Sequence, residues 1–524
     1  MGEIAVRRAD FMMVLAYATD LATGQSRDFA LRACVLAMRL ADAMGLDTAE
    51  RRKVYHQAIL RYIGCNADTH LLAAAFGDEI ALRQDLAVTD LGSHSELGAV
   101  FVRAFTRAFA DLPPDRLKQA IEQGLAEAVQ VSIPILAGHC EVAQRIGERI
   151  GLDPEVIENL GQLYERWDGH GMPRGLKGPD VRLPVRLVTL AQDAIALDDA
   201  SGFDAMVETI GRRRGGAYEP ELADVLLADP ARFLAGIDGS ADRDSILALE
   251  PAPHVWLDAA ACEEACLAIA DMIDMRTPFT FGHSRAVARL AAAAGAVMGL
   301  PEDEIRAIRW AGCTHDIGEL AVPASTWMKA ARFSAREADA AHLHPYHGER
   351  ALAALGSGGE PVAALVLRHH ERLDGSGYHR YARAPDLSPA ARILAAAEAY
   401  QTAIEARPHR PAATPRAAAV ALRALVAEGK LCSNAAEAVL TAAGQGSRRA
   451  APARLDGLTS REIEVLRLIA AGHTAKEAAR LLGISPKTAD NHIQNLYAKI
   501  GVSTRAGAAL YALERGLVET ARAA

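Results

Sequence analysis

No stretch free of Asp, Glu, Lys and Arg exceeds 13 residues in this chain of 524, and the longest is 128–140. A membrane-crossing helix needs about 20 apolar residues, so no span is expected. The N-terminus carries Arg7 and Arg8, but its apolar stretch from Phe11 ends at Asp20 without a small-residue cleavage site and reads as a first core helix. Cysteine is scarce: seven residues (Cys34, Cys65, Cys140, Cys262, Cys266, Cys313, Cys432), odd in number and without paired spacing. That excludes a disulfide scaffold and points to reduced thiols in a cytoplasmic protein. Aromatic residues make up only 5%, while alanine runs such as Ala291 to Ala294 recur. Sheets favour aromatic and β-branched side chains, so this composition predicts an all-α fold. Positive charge is also short, with a net charge of −9. Only from Arg454 onward do ten Lys/Arg exceed seven Asp/Glu, and nucleic-acid contact is expected there.

The length suits about three domains. Clusters of Gly, Ser, Pro and Arg at 238–253 and 444–457 read as linkers and divide the chain into 1–245, 255–443 and 455–524. The first two segments share landmarks. Gly45-Leu46 precedes Gly64 by the same interval as Gly299-Leu300 precedes Gly318, and Glu165-Arg-Trp-Asp-Gly-His-Gly-Met-Pro173 aligns without a gap with Glu371-Arg-Leu-Asp-Gly-Ser-Gly-Tyr-His379. A duplication explains both matches. The copies differ where chemistry would lie: His315-Asp316 faces Arg61-Tyr62, His369-His370 faces Leu163-Tyr164, and Glu398 faces Gln192. His139 falls close to the place of His344, without ligating companions, and reads as structural.

Nine of the 17 histidines lie between 258 and 443. His283, His315, His344, His369 and His370, with Asp316 and Glu398, combine imidazole and carboxylate donors, a set that suits Fe, Mn or Zn better than Mg or Ca. Two such ions could polarise a phosphoryl oxygen and activate water. The blocks Gly282-His283-Ser, His315-Asp316-Ile-Gly, His344-Pro345-Tyr-His-Gly348, His369-His370-Glu-Arg-Leu-Asp-Gly-Ser-Gly-Tyr378, Ala391-Arg392-Ile-Leu and Arg407-Pro-His-Arg410 resemble the HD-GYP subfamily of HD-domain phosphohydrolases. The resemblance implies a helical domain with a di- or trinuclear metal site, often iron, and cyclic di-GMP as the best-known substrate. It implies His283, His315, Asp316, His344, His369, His370 and Glu398 as metal ligands, here for two ions, and His315 and Asp316 as organisers of catalysis. Arg407 and Arg410 would meet the substrate phosphate. Three positions depart from the family: Glu319 replaces a Lys, Glu398 an Asp, and His379 the Pro of Gly-Tyr-Pro, which predicts a relaxed loop. Residues 1–245 resemble the same fold with its ligands removed.

In 455–524, Thr459-x-x-Glu462 and Thr474-x-x-Glu477 are capping boxes, Ser485-Pro486 opens a third helix and Gly501 closes it. Ala489, Ile493, Leu496 and Ile500 share the inward face; Lys487, Thr488, Asn491 and Asn495 lie opposite, flanked by Gln494 and Lys499. Amides and cations on one helix suit the major groove of DNA. The whole stretch, including His492, resembles the LuxR-type helix-turn-helix, a four-helix module. This implies 486–500 as recognition helix, 504–514 as dimerising helix, and Lys487, Thr488, Asn491, His492, Asn495 and Lys499 as DNA-contacting residues. The expected protein is a cytoplasmic, homodimeric regulator of transcription with double-stranded DNA and a cyclic dinucleotide or other phosphoester as partners. Three roles for the middle domain stay open: phosphohydrolase, non-catalytic sensor of nucleotide or metal, and dimer scaffold.

Overall fold

A computed structural model describes residues 6–26, 28–67, 69–237, 242–444, 458–515 and 517. The linker residues 238–241 and 445–457 lie outside the described set. The chain forms two compact units, Met1–Ala261 and Cys262–Ala524. Among the described residues helices dominate, and the only paired strands are Val6–Arg7 and Trp256–Leu257, two residues each and antiparallel within the first unit. No helix among them is long and apolar enough to cross a membrane. All seven cysteines are unbridged, six of them buried.

The duplication is visible in the packing. A Cβ built on Gly318 would lie 2.0 Å from the His344 carbonyl oxygen, and one built on Gly64 would lie 1.8 Å from that of His139. Both glycines are required because two backbone segments touch there, and His139 takes the place of His344. Glu371 accepts hydrogen bonds from the backbone N–H groups of Arg380 (2.8 Å) and Ala382 (2.9 Å); Glu165 accepts from those of Arg174 and Leu176 at 2.8 Å each. The loop of the second copy is therefore tied by Glu371 as that of the first is by Glu165, although His379 stands where the first copy has Pro173. At the N-terminal end of each copy, Asp274 accepts from Ser284 N–H and Asp20 from Ala30 N–H. This register sets Phe29 in the place of His283.

The first copy also holds an insertion. Between Gly64 and His139 stand the helices Thr69–Phe76, Glu79–Ala87 and His94–Ala108. They bury a separate core of Phe76, Leu82, Val100, Ala104 and Phe105, with the Phe76 and Phe105 rings 4.8 Å apart.

The C-terminal helices are Ser460–Ala470, Ala475–Leu482, Pro486–Ile500 and Arg505–Glu514. Both expected capping boxes are formed, the Ser485 hydroxyl accepts from Thr488 N–H, and Gly501 ends its helix at φ 66°, where a side chain would be strained. Ala489, Leu496 and Ile500 are buried, and Ile493 is half-buried.

Candidate metal centre and nucleic-acid interface

Helix ends deliver most of the candidate ligands. His283 opens the helix His283–Val297 after Gly282, whose φ of 77° turns the chain into it. His315 ends Glu302–Thr314 with Asp316 directly behind, and His344 opens His344–Leu352. His369 and His370 follow Glu360–Val366, and Glu398 projects from the middle of Pro389–Ile404. All are buried except half-buried His370.

Two groups result: Asp316 with His344, His369 and His370, and His283 with His315 and Glu398, the ligand atoms within each lying no more than 4.8 Å apart. Asp316 stands between them. Its Oδ1 is 3.5 Å from Nε2 of both His344 and His369, and its Oδ2 is 3.2 Å from Nε2 of His315 and 3.6 Å from that of His283.

The tautomers test whether a cation fits. Nδ1–H of His315 donates to the Gly312 carbonyl (2.9 Å), that of His344 to Ala341 (2.7 Å) and that of His369 to Val366 (2.6 Å). A carbonyl only accepts, so these Nδ1 atoms carry protons and Nε2 is the ring atom that points inward. His344 and His369 then face each other Nε2 to Nε2 at 3.0 Å. Burial and the neighbouring His369 keep His344 neutral, its pKa pushed down to about 3. With each Nδ1 committed to a carbonyl, these two Nε2 atoms converge on one point, where a bound cation would be coordinated by both. His315 Nε2 and Glu398 Oε2, 3.3 Å apart, are likewise buried without a well-oriented hydrogen-bond partner. Burial opposes ionisation of Asp316 and Glu398, but the surrounding imidazoles, chiefly His315 for the first and His283 for the second, hold both carboxyls well below the usual range. The donor set fits a bound divalent metal.

Around this centre, His283 Nδ1 donates to Glu405 Oε2 at 2.7 Å, and the same oxygen accepts from Arg407 Nη2 at 2.9 Å. Gln401 donates to the other oxygen at 2.6 Å. Sequence reasoning missed Glu405. Its signal was the polar spacing of Glu398, Gln401 and Glu405 at i, i+3 and i+7, the first two on an otherwise alanine-rich helix and the third at its C-cap. Arg407 is pinned further by the Phe279 carbonyl at 2.8 Å. Arg410 is placed differently from Arg407: its guanidinium bonds the carbonyls of Thr402, Ala403 and Glu405, closing the C-terminal end of Pro389–Ile404. Glu319, at the family's lysine position, is pushed up to about 8, first by burial and then by the charge of Asp316.

The first copy fills the equivalent space with its own side chains. Arg61 Nη1 donates to Gln192 Oε1 at 3.0 Å and lies 3.7 Å from Asp193, a guanidinium where the second copy offers a cation site. His139 Nε2 is 3.1 Å from the Ala67 carbonyl and must donate to it, so its Nδ1 accepts from the Tyr164 hydroxyl at 3.0 Å. That tautomer is the reverse of His344's and suits a structural residue.

On the recognition helix Lys487, Thr488, Asn491 and Asn495 are exposed, and His492 is half-buried. Lys499 is otherwise engaged: its ammonium lies 2.8 Å from Oε2 of buried Glu462, the capping-box carboxylate of another helix.

Paired helical copies, one with a His/Asp centre, joined to a helix-turn-helix define a class: a DNA-binding regulator with an HD phosphohydrolase domain. Comparison with known proteins agrees. Residues 268–431 match the HD domain family, and residues 456–512 match the bacterial regulatory proteins of the luxR family. The chain is 24% identical over 419 residues to 3'3'-cGAMP-specific phosphodiesterase 3 of Vibrio cholerae, covering 77% of this chain and 88% of that one. Over 63 residues it is 49% identical to the transcriptional regulatory protein MctR of Rhizobium johnstonii, 12% of this chain and 29% of the relative. The crystal structure of a cyclic GMP-AMP-specific phosphodiesterase of V. cholerae shares the fold, with a TM-score of 0.58 at 18% identity over 84% of this chain and 98% of that one.

Proposed function

We propose that 255–443 is a metal-dependent phosphodiesterase domain acting on a cyclic dinucleotide, and that 455–524 binds double-stranded DNA as part of a homodimer, with 1–245 a metal-free scaffold copy. The inward-facing Nε2 atoms of His344 and His369, 3.0 Å apart with both Nδ1 atoms committed to backbone carbonyls, carry the metal assignment. His283, His315 and Glu398 would hold one ion and His344, His369 and His370 the other, with Asp316 within reach of both groups. Iron or manganese suits this imidazole-carboxylate set, and zinc is the third candidate. Bound cations supply Lewis acidity toward a phosphoryl oxygen. The chain's own groups do the rest: Arg407 steadies the phosphate, and His315 and Asp316 organise the centre from a buried position that excludes bulk water. Lys487, Thr488, Asn491, His492 and Asn495 form the DNA-reading face. Lys499 serves chiefly to tie helices, and Arg410 to close one.

The test is elemental analysis of anaerobically purified protein followed by incubation with 3'3'-cGAMP and cyclic di-GMP. Near two ions per chain and product from either nucleotide are expected, both lost in Asp316→Ala. Metal-free, folded wild-type protein overturns the reading. Glu319 favours one alternative, a sensor that holds ligand without turnover, because an acid replaces the lysine that would attract phosphate. Operator affinity that shifts with intact nucleotide would select it.

A further inference from the structure

We infer that Glu405 is a positioning residue that makes metal binding and phosphate binding a single coupled event. The inference rests on the reading of 255–443 as a metal-dependent phosphoester site. Three of the ligand histidines, His315, His344 and His369, are oriented by backbone carbonyls, which the helices supply regardless of any neighbouring side chain. His283 is oriented by a carboxylate, and that carboxylate also holds Arg407, the arginine assigned above to the substrate phosphate. One oxygen, Glu405 Oε2, accepts from His283 Nδ1 at 2.7 Å and from Arg407 Nη2 at 2.9 Å, while Gln401 fixes the other oxygen at 2.6 Å. The residue is 1% exposed, so water cannot replace either bond.

The consequence follows from sharing. On the far side of its ring, His283 Nε2 lies 2.9 Å from Glu398 and 3.6 Å from Asp316, where a cation would sit. A cation there makes Nδ1–H a stronger donor to Glu405 and so fixes the carboxylate more firmly, and a fixed Glu405 holds the Arg407 guanidinium in place for an anion. Removing the carboxylate leaves the buried His283 Nδ1–H unpaired and takes from half-buried Arg407 the partner of its Nη2, a cost felt at both ends.

The experiment uses the full-length protein, with Mn²⁺ and then inorganic phosphate as probes, by titration calorimetry. Glu405→Gln should weaken manganese binding about 10- to 100-fold, the range found when a group orienting a metal ligand is removed, and weaken phosphate binding to the manganese-loaded protein as well. Arg407→Gln should weaken phosphate and leave manganese unchanged. In the double variant the phosphate loss should be no greater than in Glu405→Gln alone, because Arg407 without its carboxylate is already misplaced. Phosphate effects that multiply in the double variant, or manganese affinity unchanged in Glu405→Gln, overturn the proposal. Should Glu405→Gln not fold, Glu405→Asp gives the same test: its shortened carboxylate should weaken both probes together, and weakening of one alone overturns the coupling. Wild-type protein that takes up no manganese overturns the phosphodiesterase reading and this proposal with it, whereas wild-type uptake with an unaffected Glu405→Gln overturns this proposal alone.

Discussion

At Gly64 and Gly318 single hydrogen atoms decide whether two backbone segments can touch, since a methyl group would lie within about 2 Å of a carbonyl oxygen in either copy. Overpacking of this kind costs about 1–3 kcal/mol or more. Gly64→Ala should therefore lower unfolding free energy by about 3 kcal/mol in urea denaturation, and Gly318→Ala should also displace His344 and reduce bound metal. A second residue-scale consequence concerns acid. Burial pushes the pKa of His139 and of His56 down to about 3 from an ordinary 6.5. Both stay neutral in the folded chain, while the unfolded chain protonates them near 6.5. Their contribution is complete above pH 6.5 and is lost as pH falls toward 3, by about 1.4 kcal/mol per pH unit for each histidine at most. Wild type and His139→Gln, compared by urea denaturation at pH 7 and pH 5, should differ in this slope by about one proton's worth.

At the scale of helices, the recognition helix separates two kinds of lysine. Lys487 is free to meet DNA phosphate, whereas Lys499 neutralises buried Glu462. Lys487→Ala should reduce the salt dependence of operator binding by about 0.9 in log–log slope. Lys499→Met should leave that slope nearly unchanged and lower the stability of the C-terminal helices by about 1–2 kcal/mol, read from thermal melts. The capping boxes and Gly501 were legible in sequence because caps are local: donor and acceptor lie three residues apart. The pairings of Lys499 with Glu462, of Arg410 with the end of its helix and of Glu405 with His283 were not. They arise when helices distant in sequence meet, and no spacing rule records that meeting. The candidate ligand histidines could be singled out for a different reason, since imidazoles concentrated at motif positions stand out against an alanine-rich background.

For the whole molecule, duplication could be read from glycines and loop motifs, but the inserted helices of the first copy could not, since their core of Phe76, Leu82 and Phe105 obeys the same helical periodicity as its surroundings. Nor could Phe29 be placed opposite His283 without the packing. The two units should respond separately to metal. Calorimetry before and after chelation should show one transition moved down by several degrees and another unmoved; a single transition shifting as a whole would contradict independence. The unmoved transition is expected to be that of the first unit, whose central cation is the guanidinium of Arg61. A side chain cannot be leached, and it arrives with the polypeptide itself. During synthesis the N-terminal half emerges first and can complete its fold from its own atoms, so a cell short of metal would still make a finished first half and hold only the second in waiting.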